Sequence, residues 1–167
     1  MDNGRLMQAA AIRPYEDRDE RQVIELVREL QNHESAFYDR MLPSIEIGSW
    51  YIWRALRDAR GSGGEFLVAE LEGRIIGYAT LLVGQSSREF LDEILYTYAY
   101  VGDLIVTKDA RRQGAGVALL AECERRARSA GEKWLRIGAI AANGDAARIY
   151  ERYGFAVQFL RMEKPLT

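Results

Sequence analysis

At 167 residues, with 48% hydrophobic and 29% charged residues and a formal net charge of −2, the chain suits one globular domain with a substantial core. The near-neutral balance argues against nucleic acid as a partner, which calls for a basic footprint. One cysteine, Cys123, excludes an intrachain disulfide; no run reaches a membrane span of roughly 18 apolar residues, and the start M-D-N-G-R-L-M-Q-A-A-A-I lacks a secretory signal, so a cytoplasmic protein without membrane contact is expected.

In chain order, residues 9–13 form a short apolar stretch closed by Pro14, which suits a first strand. Residues 17–32 place Val23, Ile24, Val27 and Leu30 along one helical stripe, with Glu16, Asp17, Asp19 and Glu20 crowding its positive end. His33, Glu34, Phe37, Tyr38 and Asp39 are expected in a polar and aromatic loop. A second helical pattern opens at Pro43 and stops at Gly61-Ser62-Gly63-Gly64. The period then changes to two. Residues 66–69 and 75–83 read as a hairpin turning at Glu72-Gly73-Arg74. Residues 96–106 make one long strand with Tyr96, Tyr98 and Tyr100 on one face, interrupted by Gly102, which marks a bulge or a close backbone approach. A helix over 117–130 ends at Gly131, a strand follows over 134–138, and Asn143 and Asp145 cap a last helix that Gly154 closes. Residues 157–160 and 161–164 are expected as final strands.

The informative stretch is V-G-D-L-I-V-T-K-D-A-R-R-Q-G-A-G-V, residues 101–117. An apolar strand runs into a turn with two arginines and two glycines that opens a helix. Helix-start amides lack intrahelical partners and carry partial positive charge, and glycine lets them approach an anion. A phosphate cradle is the physical expectation. The P-loop pattern would need Gly-Lys-Ser/Thr, and Val117-Ala118 stand there instead. The dinucleotide fingerprint would need Gly or Ala where Leu119 stands.

Arg111-x-x-Gly114-x-Gly116 after a strand resembles the acyl-CoA signature of the GNAT superfamily of N-acetyltransferases. About 30 residues on, A-A-N-G-D-A-A-R-I-Y-E-R-Y-G-F resembles the second cofactor motif of that superfamily through Asn143, Ala147, Tyr150, Tyr153, Gly154 and Phe155. The resemblance implies a mixed α/β (α+β) fold: a mostly antiparallel twisted sheet of about six to seven strands, splayed in the middle and flanked by about four helices. It extends to element order, so residues 1–167 are expected to be one such domain. It also implies acetyl-CoA as co-substrate, no metal, and homodimerisation.

By the same resemblance, Leu104, Ile105 and Val106 line the pantetheine arm through their main chain. Arg111, Arg112, Gln113, Gly114, Ala115, Gly116 and Val117 cradle the pyrophosphate, while Asn143 and Ala147 border the arm. Asn143 can bond pantetheine, cap its helix, or do both. Tyr150 matches the family's proton donor to the leaving thiolate; its bland alternative is helix packing, as for Tyr153. The base is less defined. A strand carboxylate would stand at Gly102 or Tyr100, and neither is acidic. Asp103 is adjacent but faces away on a regular strand, unless a bulge at Gly102 re-aims it. Glu34 and His33, or ordered water, are the other candidates.

His33, Glu34, Tyr38, Tyr98 and Tyr100 are expected to border the acceptor. Glu34, Asp39, Asp92 and Glu93 would draw a cationic amine, with a lean toward the diamine and polyamine branch; Tyr38, Trp50 and Tyr98 could instead wall a hydrophobic amine. The function expected is acetyl transfer to a primary amine of a small molecule or peptide in a ternary complex. A catalytically silent acyl-CoA sensor is the alternative that the missing strand carboxylate leaves open.

Overall fold

The computed structural model describes residues 9–166; the N-terminal residues read above for a secretory signal lie, up to residue 8, outside them. The elements are β1 (Ala11–Pro14), α1 (Glu20–Glu34), α2 (Ser49–Gly61), β2 (Glu65–Leu71), β3 (Arg74–Ser86), β4 (Thr97–Val106), α3 (Ala115–Ser129), β5 (Leu135–Ile137) and α4 (Gly144–Tyr153). The strands form one sheet in chain order. Pairs β1–β2, β2–β3 and β3–β4 are antiparallel, and β4–β5 is parallel.

Period-two alternation gives the sheet two apolar faces. Phe66, Val68, Tyr78 and Ile105 point to one face, against Val23 and Val27 of α1 and Ile52 and Leu56 of α2. Leu67, Ala69, Ala79, Leu81, Ala99 and Val101 point to the other, against Leu119, Leu120 and Cys123 of α3. Burial pushes the Cys123 thiol up to about 12, so it serves as packing.

Two breaks in the alternation shape the molecule's middle. Strand β5 pairs with β4 only from Ala99↔Leu135 to Val101↔Ile137, so β4 continues alone on that side to Val106. This is the splay that the resemblance implies. The second break is in the β3–β4 ladder. Ala79 faces Leu104 and Leu81 faces Val101, so two steps of β3 oppose three of β4. The extra residue lies in Gly102–Asp103, a β-bulge.

Three expectations are corrected. The described residues hold five strands, because 157–160 and 161–164 pair with nothing and remain exposed; an unpaired strand has no ladder to stabilise it. His33 and Glu34 sit in the last turn of α1, since the helix runs on until Ser35, whose N–H bonds the Gln31 carbonyl. Pro43 precedes a short 3₁₀ turn, Ser44–Glu46, and α2 begins only at Ser49.

Helix α3 is anchored by fully buried Leu119 and Leu120. We expect Leu119→Ala to cost about 2–5 kcal/mol, seen as a fall in Tm of roughly 4–20 °C in a thermal melt.

Candidate active site

The turn between β4 and α3 is built from backbone. Gly114 adopts φ 86°, a conformation open to glycine, and caps α3 without any side-chain hydrogen bond. Arg112 is also left-handed, at φ 63°. The first intrahelical bond here runs from Ala118 N–H to Gly114 O at 2.9 Å. The amides of Ala115, Gly116 and Val117 therefore precede the helical ladder and meet no capping side chain, a donor set that suits a pyrophosphate. The open edge of β4 beyond Val101 adds main-chain groups for an amide-bearing arm. The residues present fit acetyl-CoA.

Glu29, on α1, holds this turn in place, a role that sequence reasoning missed. It accepts from Thr107 Oγ1 and from Lys108 N–H, both at 2.8 Å, and Arg111 approaches it at 3.6 Å. The Arg111 guanidinium also bonds the Val106 carbonyl at 3.0 Å, so its side chain braces the loop. Gln113 bonds back to the Asp109 carbonyl. Arg125, Arg126 and Arg128 pair with Glu122 and Glu124 along α3, with Glu65 a further partner of Arg126.

The bulge decides where Asp103 points. Val101 and Leu104 both contact the α3 core, so the alternation slips by one and Asp103 turns toward α1 and α2. The Asp103 N–H donates to Thr80 Oγ1 at 2.9 Å. A Cβ at Gly102 would lie 2.7 Å from that same oxygen, so the bulge requires glycine there. Asp103 Oδ2 accepts from Tyr51 Oη at 2.8 Å and from Tyr78 Oη at 3.4 Å. Neither tyrosine was singled out in the sequence, because contacts between elements leave no local periodicity.

Burial raises the Asp103 carboxyl above the ordinary range, against the opposing effect of Tyr51, Tyr78 and Arg54. Burial, then the field of Asp103, raises Glu34 as well. Tyr100 is raised by burial, Asp103 and Tyr98. Tyr150 is pushed up to about 12 by burial, Glu34 and Tyr100, and stays a neutral donor at physiological pH. Glu34, Tyr51, Tyr78, Tyr100, Asp103 and Tyr150 thus form one electrostatic cluster beside the β4–β5 splay.

The other expected residues make the following contacts. Asn143 accepts from Ala146 N–H at 3.3 Å and is the N-cap of α4. Ala147, one turn on, is half-buried. His33 sets its ring edgewise to Phe37 at 5.3 Å. Tyr38 stacks under Arg40 at 4.5 Å. Tyr98 lies 4.0 Å under Arg136, which pairs with Glu89. Asp39 and Asp92 are exposed. Glu93 accepts from the Glu89 N–H, so of the four acidic residues read as drawing a cation only Glu34 lies in the field of Asp103.

A carboxyl with a raised pKa binds its proton more tightly in the fold than in the unfolded chain. It therefore costs stability as pH climbs from its ordinary 3.8 through the folded value. Asp103→Asn should raise Tm at about pH 7 and lose that advantage near about pH 3. Equal melting of the two proteins at both pH values would contradict this.

Comparison with known proteins bears on the family and the fold. The sequence pattern of the acetyltransferase (GNAT) family matches residues 24–155. A search of curated proteins gave no match. Among solved structures, a mutant of the BH1408 protein from Bacillus halodurans superposes with a TM-score of 0.83 at 18% identity, over 94% of this chain and 99% of that one. An aminoglycoside acetyltransferase from an uncultured soil metagenomic sample gives 0.65 at 22% identity, over 95% and 97%. Glucosamine-6-phosphate N-acetyltransferase from Arabidopsis thaliana gives 0.64 at 19%, over 96% and 100%. These identities speak for a shared fold. The family pattern covers most of the chain and includes the glycine turn, the bulged strand and Tyr150; this protein belongs to the acetyltransferase (GNAT) family of acyl-CoA-dependent N-acetyltransferases.

Proposed function

We propose that the enzyme acetylates a primary amine that arrives as an ammonium ion beside Asp103 and Glu34, by direct transfer in a ternary complex. The observation that carries this reading is the bulge, which turns Asp103 toward α1 and α2 beside the open edge of β4. Acetyl-CoA supplies the activated acetyl group. The amides of Ala115, Gly116 and Val117 would hold its pyrophosphate, and the main chain of Leu104, Ile105 and Val106 its pantetheine arm.

An amine attacks only when neutral. Asp103, its pKa raised by burial, is a stronger base than an exposed carboxylate and takes the ammonium proton. Glu34 keeps the surroundings anionic, favouring binding of the cation before that transfer. Tyr150 donates to the sulfur as the carbon–sulfur bond breaks. Its hydroxyl is protonated when needed, because its pKa lies near 12. Asp103 is preferred to His33 as base because Asp103 shares its electrostatic surroundings with Glu34, which neighbours Tyr150.

Two carboxylates close enough to interact favour an acceptor with more than one positive charge, such as a diamine, polyamine or amino sugar. The structural neighbours include enzymes for aminoglycosides and for glucosamine-6-phosphate, both amine-bearing small molecules.

The test is thiol release against a panel of amines. Multiply charged amines should give the highest kcat/KM. Asp103→Asn should lower kcat by about 10²–10⁴-fold, and Tyr150→Phe should lower it as well, with acetyl-CoA affinity unchanged in both. Full turnover in Asp103→Asn would remove the base. A preference for neutral, hydrophobic amines would remove the acceptor class.

A further inference from the structure

Resting on the reading of Asp103 as base, we infer that Tyr51, with Tyr78 in support, is a positioning residue: the two phenols clamp Oδ2 so that Oδ1 is the atom presented to the acceptor amine.

Both phenols converge on one oxygen. Tyr51, from α2, reaches Asp103 Oδ2 at 2.8 Å, and Tyr78, from β3, reaches it at 3.4 Å. The main-chain N–H of Asp103 is tied to Thr80. The carboxylate is thus fixed at its backbone and at one oxygen. Oδ1 takes no hydrogen bond from the described residues, so it is the oxygen left free to meet the amine. A carboxylate with one oxygen held and one free has a single productive orientation, which is what proton transfer to a placed base demands.

Tyr51 is well placed for this. Its pKa is driven far up by burial and by Asp103, so it is always a donor. Tyr78 is fully buried and stacked on Phe66 with ring centroids 5.2 Å apart, which fixes its hydroxyl. The clamp also makes α2 part of the active site, although none of its residues belongs to the two cofactor motifs.

Each phenol stabilises the carboxylate anion, so losing one raises the pKa of the base. The charged and titratable groups facing Asp103 are Glu34 from α1, Tyr51 and Arg54 from α2, Tyr78 from β3 and Tyr100 from β4, with Tyr150 of α4 next to Glu34 and Tyr100. Among them only the Tyr51 hydroxyl is deleted by Tyr51→Phe, and its ring remains to fill the space.

The experiment is the pH profile of kcat/KM for wild type, Tyr51→Phe, Tyr78→Phe and Asp103→Asn, with acetyl-CoA affinity as the check on folding. The acidic limb of Tyr51→Phe should move up by about one pH unit, so that activity lost at low pH returns at high pH. Tyr78→Phe should move it the same way by less, and carries the test if Tyr51→Phe does not fold. Superposable profiles for wild type and both Phe variants, with Asp103→Asn inactive, would overturn the clamp and leave the base assignment standing. An active Asp103→Asn would overturn the base assignment and the clamp with it.

Discussion

One extra residue in a strand organises the proposed active site. A regular β4 would carry Asp103 toward α3, into an apolar layer where no polar partner waits. The bulge at Gly102–Asp103 shifts the phase of the strand by one. Leu104 and Val106 then return to the α3 core, while Asp103 and Ile105 face α1 and α2. The bulge stands on two local facts: a glycine where a Cβ would strike Thr80, and a threonine whose hydroxyl accepts the displaced N–H. A strand that satisfied its own pleat would present no carboxylate to α1 and α2 at this position.

The site accumulates costs that the rest of the fold offsets. A half-buried carboxylate, a second one within its field, an uncapped helix start and a left-handed arginine each oppose stability. They are held by surrounding order. Two apolar faces clamp the sheet, Glu29 ties α1 to the cradle loop, and the Tyr153 hydroxyl bonds Glu124 at 2.8 Å to lock α4 on α3. Groups that weaken the fold gather where charge must be handled.

Element order and the cofactor turn were legible in the sequence because their signals are local. Alternation marked the strands, Gly61-Ser62-Gly63-Gly64 ended α2, and the glycines at 114 and 116 marked the cradle. The acceptor side was legible only in outline. Gly102 hinted at a bulge, but its phase depended on the side chain of Thr80, 22 positions earlier in the chain. Tyr51, Tyr78 and Glu29 were invisible for the same reason, since each acts across elements. The arginines over Tyr38 and Tyr98 were likewise not legible, because Arg136 reaches Tyr98 from another strand and nothing in composition pairs Arg40 with Tyr38. The last two strands failed because alternating residues make a strand only when an edge receives them.

The most direct test of this site is a crystal structure of the protein with CoA. The expected complex has the pyrophosphate on the amides that open α3, the pantetheine arm along the free edge of β4, and the thiol within reach of the Tyr150 hydroxyl, with Asp103 Oδ1 facing the acceptor side of that sulfur. CoA bound with its thiol remote from Tyr150 and Asp103, or a β4 whose ladder runs without the extra residue, would contradict it.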